Sequence, residues 1–559
     1  MSGEAPLEAK MEQLATPSGA DAAVSNAELT EEEKQARKEA KKAAKAAEKA
    51  AKEAAKAQRA QQRGQKEAPV DRPDPDDPLK DRYGDLPLIQ SAERTDRVWT
   101  TVADLTAADA GKEVLLRGRL HTSRGKGKSA FLVLRQNTAT VQLVMFADDK
   151  TVSKHMIKYA MALPRESIIE VTGVAKDAKV EACSQSDVEL AVTSIRAITR
   201  AAALPFEVVD AARSDVEVAE LQAKGEVMPT VSQDVRLNKR YIDLRTPANQ
   251  AIFRVQSQVC QLFRESMLKN GFVEVHTPKI IAGSSEGGAA VFKLDYMGTS
   301  ACLAQSPQLY KQMCVMSDFP GVFEIGPVFR AEQSFTHRHL CEFTGLDFEM
   351  AIKEHYHEVL DVIDELFLRI FDGLNERCAH ELETIAKQYP FTPLRYLRKA
   401  PRIPFVEGIK MLQDAGFADA DPDADLSTEL ERELGRLVAE KYNTDFYFLT
   451  RFPLAARPFY TMPAPDDPTR TNSFDIFIRG EEIISGAQRI HEPELLAKRA
   501  AECGIEVASI QDYIDAMKFG AYPHGGVGVG LERVVMLFLG LNNIRKTSMF
   551  PRDPKRLTP

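Results

Sequence analysis

No run of this sequence approaches the roughly 18 consecutive apolar residues of a membrane-spanning helix. Its opening, MSGEAPLEAK, carries no apolar stretch of the kind a secretory leader needs, and early acidic residues argue against a mitochondrial one. A cytosolic protein is therefore expected. Cysteine is sparse and scattered. Cys183, Cys260, Cys302, Cys314, Cys341, Cys378 and Cys503 stand singly, with no CxxC pair. That argues against a zinc site or a disulfide framework and fits buried thiols in a reducing compartment. What is present is ordinary for a soluble globular protein, at 44% hydrophobic and 28% charged residues. The length of 559 residues allows two or three domains.

Charge is unevenly spread. Residues 1–70 hold 13 Lys/Arg against 12 Asp/Glu, leaving 60 against 70 and a net charge of -10 on the body. Such a body repels nucleic acid on average, so RNA binding would need local basic features. Residues 1–30 are polar and aperiodic, a composition that predicts disorder. Residues 31–66 contain no proline and no aromatic and are rich in Ala, Lys, Glu, Gln and Arg, which favours helix. Lys34, Lys38, Lys41, Lys45, Lys49, Lys52, Lys56, Arg59 and Arg63 recur every three or four residues. They would align as one stripe along a helix of about 45 Å. Alanine on the other faces excludes a leucine-type coiled coil. The bland reading is a solvated lone helix; aligned charge favours a rail contacting nucleic-acid phosphates.

The linker over 71–99 includes RPDPDDP, Arg72 to Pro78, whose prolines block helix. Over 100–203 the pattern turns to short alternating strands. Val114, Leu116 and Leu120 alternate with Leu115, Arg117, Arg119 and His121; Leu132 and Leu134 alternate with Phe131, Val133 and Arg135; Val141, Leu143 and Met145 alternate with Gln142. Two more strands are expected over 167–174 and 188–195. Five short strands suggest a small barrel of the oligonucleotide/oligosaccharide-binding (OB) type. Phe131 on the same face as Arg135 would suit base stacking beside phosphate contacts, although a lone phenylalanine is more often core. A hinge is expected over 204–245. Ile252, Val255, Val259, Leu262, Phe263 and Met267 then mark an amphipathic helix ending at Gly271. From 246 to 559 helices and strands mix in one large domain, with an insertion over about 376–430.

Three separated motifs follow in that domain. The first is NGFVEVHTPKI, Asn270 to Ile280, with Pro278. The second is FRAEQSFTHRHLCEFTGLDFEM, Phe329 to Met350. Alternation puts Val328, Arg330 and Glu332 on one strand face, and Phe343, Asp347 and Glu349 on one face of a returning strand. A charge in a central strand is costly unless partnered, and a phosphate would satisfy Arg330. The third is GVGVGLERVVM, Gly526 to Met536, where glycines permit close ligand approach and lead into a helix bearing Arg533. A dinucleotide site is the competing reading of those glycines, but neither a preceding βαβ pattern nor a Walker lysine supports it.

In this order the motifs resemble the catalytic domain of class II aminoacyl-tRNA synthetases. The fold class implied is α+β: an N-terminal OB barrel, then an antiparallel sheet with flanking helices, preceded by a basic helical extension. By resemblance Pro278 lies in the dimer interface, Arg330 holds the ATP α-phosphate, Glu332 lies by the adenine and the tRNA's terminal adenosine, and Phe343 stacks on adenine. His337, Arg338 and His339 belong to the loop meeting the triphosphate and acceptor stem, and Arg533 meets the γ-phosphate. ATP contacts extend to Ala331, Leu340, Gly530, Leu531 and Glu532. Asp475 and Glu482 match carboxylates that hold Mg²⁺, a cation preferring hard oxygen ligands.

Five further strings, RYIDLR (240–245), GSSEGGAAVF (283–292), QSPQLYKQ (305–312), ISGAQRIH (484–491) and SMFPRDPKRL (548–557), are similar to aspartyl-tRNA synthetases of eukaryotic and archaeal type. The resemblance implies that Lys311 and Arg489 grip the substrate's side-chain carboxylate, while Ser285, Glu286, Gln308 and Asp347 surround the α-amino group or a loop over it, with Ser485 alongside. In the barrel it places Phe131, Arg135, Gln136, Gln142 and Glu189 at the anticodon. The implied reaction needs no side-chain nucleophile. Aspartate attacks the ATP α-phosphorus, and the 3′-hydroxyl of tRNA(Asp) then attacks the adenylate, with catalysis by positioning and charge through Arg330, Arg533 and Mg²⁺. An asparaginyl enzyme is the nearest rival, and Lys311 counts against it. A non-catalytic tRNA-binding scaffold would not need Arg330, Arg533, Asp475 and Glu482 intact.

Overall fold

The structure, a computed structural model, describes residues 73–148, 150–282 and 291–559. The lysine stripe and the positions Ser285 and Glu286 lie outside the described residues. The chain divides into two compact units, Met1–Ala203 and Leu204–Pro559.

In the first unit the alternating segments form strands β1 (Glu113–Lys126), β2 (Ser129–Gln136), β3 (Ala139–Phe146), β4 (Ile168–Asp177) and β5 (Val188–Thr199). They pair in the order β5-β3-β2-β1-β4, and β4 pairs back onto β5, closing a five-stranded barrel. All pairs are antiparallel except β3 with β5. Side chains alternate across the wall: Ala130, Leu132 and Leu134 are buried inside, while Phe131 and Val133 face outward. Helix α1 (Lys154–Ala162), capped by the Ser153 hydroxyl accepting from Met156 N–H, joins β3 to β4 and buries Met156, Ile157 and Tyr159 in the barrel core. This is the barrel expected from the sequence.

The second unit is built on an eight-stranded sheet. Its central strands are β6 (Gly321–Phe329), β7 (Glu342–Ala351), β8 (Phe446–Thr450), β9 (Ser473–Ile478), β10 (Glu481–Gln488) and β11 (His524–Gly530). They run in the order β8-β9-β10-β11-β7-β6, all antiparallel, and short parallel strands Arg402–Pro404 and Val273–Glu274 close the two edges. Helix α2 (Pro247–Lys269) starts with Pro247 in its first turn and ends where Gly271 adopts φ +78°. There Phe272 N–H donates to Met267 O at 3.0 Å. Its face Val255, Val259, Leu262 and Phe263 packs with helix His357–Arg377 and helix Leu531–Phe538 on one side of the sheet, burying Phe348, Phe474, Ile484, Val527 and Val529.

The opposite sheet face is polar, and its shape follows from strand alternation. In β7, Leu346 and Phe348 point into the core while Asp347 and Glu349 point away. In β11, Val527 and Val529 point into the core, so Gly526 and Gly528 fall beside those carboxylates, opposite Glu349 and Asp347. A Cβ on Gly526 would stand 2.3 Å from Glu349 Oε2, and one on Gly528 would stand 3.1 Å from Asp347 Oδ1. The glycines of the third motif therefore make room for two buried acids. The segment expected as a hinge is packed into this unit: buried Arg240 donates to the carbonyls of Ser548 and Met549 and pairs with Asp243 at 2.6 Å. Within 376–430, Arg402–Pro404 supplies an edge strand.

Candidate active site

Above the polar face lies a cavity of about 450 Å³. Its wall includes Gln308, Arg330, Glu332, Arg338, His339, Leu340, Phe343, Asp347, Glu482, Ser485, Arg489, Gly530, Glu532 and Arg533. Ala331, His337, Leu531, Lys311 and Asp475 sit around or beneath it rather than on its lining.

One end of the cavity is a charge cluster. Helix α3 (Gln308–Met316) presents Gln308, Lys311 and Gln312 at helical spacing, all buried. Lys311 Nζ donates to Asp347 Oδ1 at 3.1 Å and to Val527 O at 2.7 Å, and lies 3.5 Å from Glu349 Oε2. Arg489 Nε donates to Glu349 Oε1 at 2.9 Å, and its Nη2 donates to Gly526 O at 2.8 Å. Gln308 Nε2 adds a contact to Glu349 Oε2 at 3.4 Å. The Arg489 guanidinium lies 5.4 Å from the Tyr460 ring centre. Burial pushes Glu349 upward, but Arg489 and Lys311 outweigh it and hold the carboxyl below its ordinary range. At Asp347 burial wins over Lys311, and the pKa is raised. Lys311 and Arg489 thus face two carboxylates, Glu349 and Asp347, and if Asp347 is matched by another cation the other three keep one positive charge.

The other end is cationic and aromatic. Arg330 is the first residue beyond β6 rather than inside a strand, and its guanidinium lies 5.5 Å from the Phe343 ring. Among the described residues it has no ion-pair partner. Arg533, at the start of helix Leu531–Phe538, donates to Glu482 O at 2.8 Å, and burial lowers its pKa. Arg338 is tied to Glu431 and to Thr428 Oγ1 (2.8 Å) on helix Thr428–Tyr442. His337 and Arg432 converge on Glu481 at 2.9 and 2.8 Å, and His339 Nδ1 contacts the Thr336 hydroxyl at 2.5 Å. Glu532 accepts from Thr344 N–H through both oxygens, and burial pushes its pKa up to about 7. Asp475 is gripped two-pronged by Arg457 at 2.9 and 2.7 Å, and Arg457 also donates to the Ser485 hydroxyl. Pro278 is exposed at the sheet edge, between Thr277 and Lys279, both bonded to Glu324 at 2.7 Å.

On the barrel, Phe131 sits on the outer wall, edge-on to half-exposed Phe146 at 5.7 Å, with Arg124 5.6 Å from its ring. Gln142, opposite Val133, donates to Glu189 Oε2 at 2.9 Å. Arg135 is buried by an ion pair with Glu166 at 2.8 Å and a contact to His121. Gln136 accepts from Val102 N–H and donates to Arg117 O. These last two side chains hold the barrel together, while Phe131, Gln142 and Glu189 share its outer surface. Sequence reasoning gave no role to Arg457, His524, Gln312 or Glu431. Only Glu349 carried a readable signal, two residues after Asp347 on the same strand face.

Residues 232–554 match the family described as tRNA synthetases class II (D, K and N), and residues 114–198 match the OB-fold nucleic acid binding domain. The chain is 54% identical to the cytoplasmic aspartate–tRNA ligase of Homo sapiens, over 87% of this chain and 96% of that protein. It is also 54% identical to cytoplasmic aspartate–tRNA ligase 2 of Arabidopsis thaliana, over 86% and 89%. Among solved structures, the aspartyl-tRNA synthetase of Entamoeba histolytica superposes with a TM-score of 0.78 at 45% identity, over 86% of this chain and 96% of that one. The asparaginyl-tRNA synthetase of Pyrococcus horikoshii bound to asparaginyl-adenylate gives 0.70 at 30% identity, over 83% and 100%. The chain belongs to the class II tRNA synthetases and, within them, to the aspartate–tRNA ligase family.

Proposed function

We propose that this protein activates L-aspartate with ATP and transfers it to the terminal adenosine of tRNA(Asp) in the cytoplasm, the compartment named for its relatives. The observation carrying the substrate assignment is the pair of buried cations Lys311 and Arg489 at and beneath one end of the cavity; with Asp347 taken by the substrate's α-ammonium, they and Glu349 keep one positive charge. A side-chain carboxylate neutralises that charge; an asparagine amide leaves it uncompensated in a buried site. Asp347, with Gln308, suits the substrate's α-ammonium. Ser285 and Glu286 belong to the same reading through resemblance alone.

At the other end Phe343 takes the adenine, Glu332 lies beside it, Arg330 neutralises the α-phosphate and Arg533 the γ-phosphate, aided by His337, Arg338 and His339. Charge building on the phosphates in the transition state is met by fixed guanidinium groups, and no covalent enzyme intermediate forms. Glu482, open on the cavity, offers the hard oxygen that Mg²⁺ prefers, with Asp475 behind it held by Arg457 through both oxygens. When bound, Mg²⁺ would offset triphosphate charge. Phe131, Gln142 and Glu189 suit anticodon bases, and the exposed edge around Pro278 suits a second copy of the chain. The test is charging of tRNA(Asp) with labelled aspartate: acid-stable, base-labile aspartyl-tRNA is expected, and its absence with properly folded protein refutes the proposal.

A further inference from the structure

Behind the charge cluster lies a network that the reaction chemistry leaves unused. His524, fully buried, opens β11. Its carbonyl oxygen accepts from the backbone N–H of Arg489 at 2.9 Å. Its ring reaches the other way, with Nδ1 2.7 Å from Tyr522 O and Nε2 2.9 Å from the side-chain Oε1 of Gln312. Gln312 follows Lys311 on α3, and its Oε1 also meets the Tyr513 hydroxyl at 2.9 Å. Two and three residues further along β11, the carbonyls of Gly526 and Val527 accept from Arg489 and Lys311. His524 is thus tied to both cation-bearing elements, through its backbone to Arg489 and through its ring to the helix of Lys311.

Proton placement sharpens this. Nδ1 faces a carbonyl and so carries a hydrogen. Burial lowers the ring pKa to about 4, so at neutral pH Nε2 is a bare acceptor. The bare His524 Nε2 meets a donor when the Gln312 amide presents its Nε2 there, which leaves the amide oxygen in the unpartnered place. That NH₂ group can then also donate to Tyr513.

We infer that His524 is a specificity-determining positioning residue: through the Gln312 amide it locks the Lys311 helix against β11, so that Lys311 and Arg489 converge on one substrate carboxylate. It touches no substrate itself. The inference rests on the assignment of those two cations to the carboxylate, which Arg489→Leu tests separately. His524→Asn keeps an N–H for Tyr522 O but cannot reach Gln312. His524→Gln reaches Gln312, and Gln312→Met keeps volume while removing its hydrogen bonds. Steady-state ATP–pyrophosphate exchange is measured on the whole protein. In His524→Asn and Gln312→Met the KM for aspartate should rise about tenfold, the worth of one lost hydrogen bond. Discrimination against asparagine should fall with it, while the KM for ATP stays within about twofold. His524→Gln should stay within about threefold of the unaltered protein for aspartate. Unchanged aspartate KM in both the Asn and Met variants overturns the inference, as does an equal rise in both substrates' KM. If Arg489→Leu keeps normal exchange, the pocket assignment beneath the inference is what fails.

Discussion

Replacing Arg489 by leucine perturbs the pocket in two separable ways. It removes the donors that grip Glu349, leaving a fully buried carboxylate with Lys311 at 3.5 Å as its remaining cation. Breaking a buried pair in this way destabilises by about 3–5 kcal/mol. With Asp347 matched by the substrate's α-ammonium, it also changes the charge offered to a substrate carboxylate from one positive to zero, because Lys311 is then neutralised by Glu349. Two charge-assisted hydrogen bonds to substrate, at roughly 1.5–3 kcal/mol each, correspond to a loss of about 10²–10⁴ in kcat/KM for aspartate. The assay is ATP–pyrophosphate exchange with aspartate varied, beside a thermal scan and ATP binding. Glu349→Gln added to Arg489→Leu returns the positive charge of Lys311 and removes the acid that has lost its two-point arginine partner. The double variant should melt higher than Arg489→Leu and recover about tenfold in kcat/KM. Near-normal exchange in the single variant, or no recovery in the double, refutes the charge argument.

Phe131→Ala should raise the KM for tRNA by about 5–150-fold, the range of one lost base stack, while leaving aspartate-dependent exchange unchanged; a variant that loses both functions equally makes Phe131 a core residue. Deleting residues 1–70 should weaken tRNA binding and flatten its dependence on salt, since each phosphate neutralised by the stripe releases counterions; equal affinities and slopes would mean that the extension is no RNA rail. Glu532, whose pKa burial raises from 4.5 to about 7, binds a proton in the folded state between those values that the unfolded chain has lost. The contribution of Glu532 to stability should therefore fall as pH rises from about 4.5 through 7, by on the order of 3 kcal/mol. Glu532→Gln should flatten that dependence in ligand-free thermal scans, and an unaltered pH profile would contradict it.

Local periodicity made the barrel legible. Alternation at Leu132 and Leu134 against Phe131 and Val133 is a property of one strand, and it survives folding intact. The same logic put Asp347 and Glu349 on one face of β7, and the amphipathic stripe from Ile252 to Met267 located α2, short only of its first turn at Pro247. It failed at Arg330, where alternation predicted a strand but the chain leaves the sheet at Phe329. It could not see that Arg135, on the same outer face as Phe131, is covered by Glu166 and His121, because both arrive from elsewhere in the barrel. The contacts of Arg457 with Asp475, Arg338 with Glu431, and His524 with Gln312 span 18, 93 and 212 residues. No periodicity connects such positions, and only the folded sheet with its helices brings them together.

Once Asp347 meets the substrate's α-ammonium, Lys311, Arg489 and Glu349 keep one positive charge, and that charge selects aspartate. This selection is tested most directly by ATP–pyrophosphate exchange with aspartate and asparagine in parallel on the unaltered protein. Robust exchange with aspartate is expected, with a kcat/KM for asparagine lower by at least about 10³, since the charged pocket loses its counter-charge. Comparable exchange with the two amino acids, or exchange with asparagine alone, would contradict it.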